Sequence, residues 1–175
     1  MTPLELSLVE RLKAKIADGE QHRQIGTAAT FAPATQSSLE MAERDLGFPL
    51  PPLLAQVYTS VANGGFGPGY GLIGLDGGAK LDTGDSVVSL YQSFLLQDPD
   101  DPLWHWPASL LAICHWGCGI YSCVDCGDQA TPVLRFDPNG HKMGHPWDEH
   151  FRLEVSSFAG WIEMWLNDQL PFDLP

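Results

Sequence analysis

From Leu110 to Asp137 the apolar residues come in three strand-sized runs, "LLAICHW", "IYSCVDC" and "PVLRFD". The turn-forming stretches "GCG" and "GDQAT" separate them, so the region around 110–137 reads as a three-stranded antiparallel meander. A small sheet of this kind has to bury a face against other elements, and the remaining chain supplies helices. Leu4, Leu8, Leu12 and Ile16 recur at helical spacing over Leu4 to Asp18, and Gly19 stands where that helix would stop. The segment "QHRQIGTAATFAPATQ" has no period and reads as a surface connector. Ser37 and Glu40 are placed as a capping box for a helix carrying Leu39, Ala42 and Leu46, with Gly47 at its left-handed end. After Pro49, Pro51 and Pro52 a second helix extends to about Ala62, with Leu53, Leu54, Val57, Tyr58 and Val61 on one face and Asn63-Gly64 as its stop. The glycine-dense "GGFGPGYGLIGLDGG" reads as a loop running into a short strand at Tyr70 to Leu75. Asp85 to Gln97 fits a helix with Val87, Leu90, Tyr91 and Phe94 inward, and a last helix spans about Ser157 to Asp168. Helices on both sides of a meander define an α+β fold.

The length of 175 residues, 44% of them hydrophobic, accommodates one well-buried core, so residues 1–175 are expected to form a single domain. No run approaches the ~20 apolar residues of a membrane span, and the N-terminus mixes charges with leucines instead of opening with a basic and then an apolar block. A soluble, cytoplasmic protein with no membrane partner is expected. Nine Lys and Arg against 22 Asp and Glu give a net charge of -13. That field repels phosphate backbones and anionic lipid, which removes nucleic acid from the expected ligands and favours a basic protein partner. Without a secretory signal, four cysteines in such a chain are expected as reduced thiols.

The cysteines are spaced C-x3-C-x4-C-x2-C at Cys114, Cys118, Cys123 and Cys126. "CVDCG" resembles half of a zinc ribbon, but no second knuckle accompanies it, and in a strand Cys123 and Cys126 point to opposite faces. They are read as structural thiols packed as small hydrophobes. A thioredoxin-type site needs its thiols at a helix N-terminus, whereas the residues after Cys126 turn into another strand. "HKMGHPWDEH" offers His141, His145, Asp148, Glu149 and His150, but Gly144 and Pro146 interrupt the helix that an H-x3-H pair requires, so a polar loop with surface histidines is expected. "GYGLIG" matches G-x-G-x-x-G without the strand before it and the helix after it that a dinucleotide site needs. Cys114, His115, Tyr121 and Ser122 form no nucleophile arrangement at a motif spacing. "WHW" at Trp104 to Trp106 is read as core. No catalytic, cofactor or metal residues are assigned. Asp82, Asp85, Asp98, Asp100 and Asp101 lack the glycine and terminal glutamate of a calcium loop. They bracket one predicted helix and are the candidate protein-binding residues.

In order, "AERDLGFPLPPLLAQVYTSVANGGFGPGYGLIGL", "WPASLLAICHWGCGIYSCVDC", "PVLRFDPNG" and "SFAGWIEMWL" resemble the SUKH superfamily over about residues 39–166. This group of bacterial immunity proteins is related to the yeast regulator of cell-wall glucan synthesis and killer-toxin resistance. The resemblance implies an α+β domain without intrinsic catalysis, often encoded beside a secreted polymorphic toxin, in many cases a nuclease, that it binds and neutralises. Residues 1–36 precede the matching region as a helix and connector. Three classes stand open at this point: an immunity module, a regulatory scaffold without a toxin partner, and a metal-dependent or thiol enzyme.

Overall fold

The computed structural model describes residues 1–17 and 31–170. The predicted stop at Gly19 and most of the predicted connector, residues 21–30, lie outside the described residues. Helix α1 (Pro3–Ala17) buries Leu8, Val9 and Leu12 and leaves Leu4 in solvent. Helix α2 (Gln36–Leu46) starts one residue before the predicted capping serine. Thr35 is its N-cap and accepts the Ser38 N–H at 3.1 Å, so the Ser37/Glu40 assignment is replaced by a side-chain cap two residues upstream. Gly47 closes the helix with φ 82°, as its sequence position requires. Helix α3 (Pro52–Ser60) buries Leu53, Leu54, Val57 and Tyr58. Helix α4 (Val87–Phe94) opens on a capping box between Ser86 and Ser89 and stops three residues short of the predicted end.

Strands β1 (Leu110–Gly117), β2 (Ile120–Asp125) and β3 (Val133–Phe136) form the predicted meander, and β4 (Phe151–Val155) extends it to four antiparallel strands in the order β1-β2-β3-β4. The β1–β2 hairpin turns through Cys118 (φ 50°) and Gly119 (φ 74°), the pair of positive φ values that matches the twist of two antiparallel strands. The predicted strand at Tyr70 to Leu75 is reduced to one bridge, Leu72 to Cys114. The chain turns at Gly71 (φ 90°), so only Ile73 and Tyr70 also reach β1, donating to the carbonyls of Ile113 and His115. A short 3-10 turn (Asp148–His150) leads into β4, and α5 (Phe158–Leu166) buries Phe158, Trp161, Ile162 and Trp165.

Both faces of β2 are covered, with Tyr121 and Cys123 buried on one and Ser122 and Val124 on the other. Aromatic residues from the stretch after α4 cover the first face: Trp106 meets Phe136 and Phe151 edge-on at 5.0 and 5.3 Å between centroids. Trp161 of α5 reaches the second face, where its indole N–H donates to the Glu154 carboxylate at 3.1 Å. No helix among the described residues is long and apolar enough to cross a membrane.

Candidate functional site

Residues Leu95 to Leu103 make a closed excursion between α4 and β1. Its ends meet where the Trp104 indole N–H donates to the Phe94 carbonyl at 3.0 Å. Phe94 stacks on Trp106 with 4.2 Å between ring centroids, so the loop stands on the aromatic layer over the sheet. Every residue of the excursion is exposed except Asp101, which is 7% exposed. Compact loops with adjoining ends hold their shape through such internal contacts.

Asp101 points inward and fastens the loop from below. Its Oδ1 accepts the Leu103 N–H at 3.1 Å, and its Oδ2 accepts the Trp147 indole N–H at 2.9 Å and lies 3.0 Å from His141 Nε2. His141 stacks flat on Trp147 at 3.6 Å and places Nδ1 3.1 Å from His150 Nε2; His150 Nδ1 in turn sits 2.7 Å from the Asp137 carbonyl. All three ring contacts lie within hydrogen-bond distance, and together they chain Asp101 through His141 and His150 to the Asp137 carbonyl. His141 is not the surface histidine that the sequence predicted, because Trp147 stacks on it and Asp101 holds it; His150 is half-buried and His145 exposed.

Burial alone would raise the Asp101 carboxyl pKa. The hydrogen bonds from Trp147, Leu103 and His141, with the charge of His141, outweigh burial and hold it below the usual carboxylate range. A carboxyl whose folded-state pKa is depressed adds stability above its unfolded pKa, about 3.9, and that stability disappears as pH falls through the folded value. Asp101→Asn is accordingly expected to melt below the wild type at neutral pH, with the gap narrowing as the pH is taken from about 6 to below about 3.9. Melting temperatures of the two proteins across that range check it; a gap that stays constant would contradict the assignment.

The other candidate carboxylates lie elsewhere. Asp98 and Asp100 are exposed on the excursion, and Asp98 Oδ1 accepts the Asp100 N–H at 2.8 Å. Asp82 is exposed and Asp85 half-buried before the other end of α4, where Asp85 accepts from the Thr83 and Ser89 hydroxyls at 2.7 and 2.9 Å. An eight-residue helix separates the two groups by roughly 12 Å, more than a Debye length at 0.1 M salt. The structure thus resolves the five predicted residues into an exposed pair, a second patch at Asp82 and Asp85, and the inward Asp101.

Cys114 and Cys123 are buried, Cys126 is half-buried and Cys118 is exposed at the hairpin tip. Burial raises the thiol pKa of Cys114 and Cys123, and burial followed by the neighbouring Asp125 pushes Cys126 up to about 12. Thiolate is the reactive form, so native protein is expected to react promptly with a thiol reagent at Cys118 alone and at all four sites once unfolded. Rapid titration of two or more thiols in the native state would contradict this. Among the described residues no group of three or more His, Cys, Asp or Glu is arranged to hold a metal ion. In the glycine loop the N–H groups of Tyr70, Gly71, Leu72, Ile73 and Gly74 donate to carbonyls of the fold, and no helix follows until α4.

One polar cluster left no mark on the sequence. On the face under α5, Arg135 grips Glu154 with both Nη2 and Nε, at 2.9 and 3.2 Å, while the Ser122 hydroxyl donates to the same carboxylate at 2.7 Å. The Arg135 guanidinium lies 4.4 Å over the Trp116 ring. An open cavity of about 560 Å³ adjoins it, bounded by Ile120, Arg135, Asp137, Lys142, Glu149 and Arg152. Its walls mix both charge signs.

The antiparallel meander, the helices covering it on both faces and the glycine crossing after α3 define a SUKH-type α+β domain. The chain belongs to the SMI1/KNR4 family (SUKH-1), whose family model matches residues 33–164. A comparison with curated proteins returned no match.

Proposed function

We propose that this chain is an immunity protein, a non-catalytic module that binds the toxic domain of an effector encoded with it and blocks that domain in the cytoplasm of the producing cell. Membership of the SUKH-1 family, which is linked to immunity and regulatory roles, supports a binding role. The observation that carries the charge of the partner is the distribution of acidic residues: Asp82, Asp98 and Asp100 face solvent on a protein of net charge -13. A nuclease-type toxin must be positive where it grips phosphate, and an acidic inhibitor gains encounter rate and specificity from the complementary field. The inward Asp101 shapes the binding surface and does not touch the partner.

The test is co-expression of the toxin domain encoded beside this chain in a sensitive cell, with and without the protein. Survival that depends on the protein supports immunity. Death in both cases overturns it for that pair, and binding of a basic host protein instead would favour a regulatory scaffold.

A further inference from the structure

We infer that the 95–103 excursion is the partner-contacting surface, with Leu95, Leu96 and Leu103 as its apolar anchors and Asp98 and Asp100 as its charged rim, fitted to a basic protein surface that carries an apolar recess. This rests on the reading that the chain binds a basic partner.

The three leucines are 52%, 69% and 46% exposed. The Trp104–Phe94 hydrogen bond joins the two ends of the excursion, so Leu95 and Leu96 leave from, and Leu103 returns to, the same neck. Scattered surface leucines need no explanation, but a gathered set rimmed by like charges has the layout of an interface, apolar at the centre and polar at the edge. Asp98 and Asp100 select the partner's sign, because a basic surface gains from them and an acidic one is repelled. The loop is also held ready: Asp101 ties it to His141 and Trp147, and Gln97 Nε2 donates to the Asp101 carbonyl at 3.4 Å. A loop fixed before binding loses little conformational freedom on association, which slows dissociation. Leu153 on β4 is also well exposed, at 64%, but stands between Arg152 and Glu154 with no second exposed leucine next to it.

A photo-reactive residue placed at Leu96, or separately at Leu153, in the full chain inside the producing cell tests the surface. The expected result is one basic protein covalently captured at position 96 and none at 153. That protein, purified, should bind Leu95→Ser/Leu96→Ser/Leu103→Ser about 100-fold or more weakly than wild type, chiefly through faster dissociation. The variant's melting temperature should match the wild type, since these side chains are outside the core. No adduct at 96, an adduct only at 153, an acidic captured protein, or unchanged affinity of the triple variant would each overturn the proposal. If the wild type and the triple variant protect cells equally, immunity stands and this surface falls. If the protein captured at 96 is basic but is no toxin, the surface stands and immunity falls.

Discussion

Replacing Glu154 with Ala is expected to destabilise the protein by about 3–5 kcal/mol, a large share of the ~5–15 kcal/mol that holds a domain of this size together. The Glu154 side chain is fully buried and pairs with Arg135, itself 8% exposed at the side chain. Ser122 and Trp161 donate to the same carboxylate. Removing it takes away the carboxylate that balances the buried Arg135 charge and accepts from Ser122 and Trp161, which costs far more than the pair itself contributes. Glu154→Leu with Arg135→Met should recover part of the loss, because an apolar pair of similar volume avoids the desolvation of both charges, while the Ser122 and Trp161 donors still lack the carboxylate. Urea unfolding of the wild type, the single variant and the double variant measures this. A single variant as stable as the wild type would show that β4 does not use this network.

Gly64→Ala should also be strongly damaging, and Gly64→Val worse. Gly64 has φ 77°, and a Cβ there would stand 2.6 Å from the Leu72 carbonyl oxygen and 2.7 Å from the Gly74 nitrogen, both backbone atoms that cannot swing aside. The crossing is pinned around it, since Asn63 Oδ1 accepts the Leu75 N–H at 2.8 Å and the Asn63 carbonyl accepts the Ala79 N–H at 2.9 Å. Gly47 provides the internal comparison: its φ is 82°, but a Cβ there meets nothing within 4 Å. Gly47→Ala should therefore cost only the ~1–2 kcal/mol of a left-handed L-residue, and Gly64→Ala about 3 kcal/mol or more. Equal losses at the two sites would mean that backbone conformation alone, without crowding, fixes Gly64.

Sequence patterns revealed those parts of the fold whose signals are local. The apolar faces of α3, α4 and α5, the glycine after α2 and the three runs of the meander each show a period or a stop within a few residues. Strand β4 was hidden because its burial follows no clean alternation: Phe151 packs on Trp106 and Phe136, Leu153 two residues on faces solvent, and the Glu154 side chain is buried on the opposite face. The inward turn of Asp101 was equally hidden. Its neighbours Asp98 and Asp100 are the same residue type in the same short run, and only Trp147 and His141, at least 40 residues further along the chain, distinguish it. Leu95 and Leu96 continue the helical pattern of α4 by composition, yet α4 ends at Phe94, which leaves both in solvent.

A binding module steered to a basic partner by an acidic surface shows that steering in its association kinetics. The toxin domain proposed as partner should be mixed with the wild type and with Asp98→Asn/Asp100→Asn at about 0.05 M and about 0.5 M salt, salt concentrations at which screening differs severalfold in range. The wild-type on-rate is expected to fall steeply with salt, the variant to start lower and fall less, and the off-rates to differ little. Tight binding with an on-rate indifferent to both salt and the double substitution, or no binding at all, would contradict it.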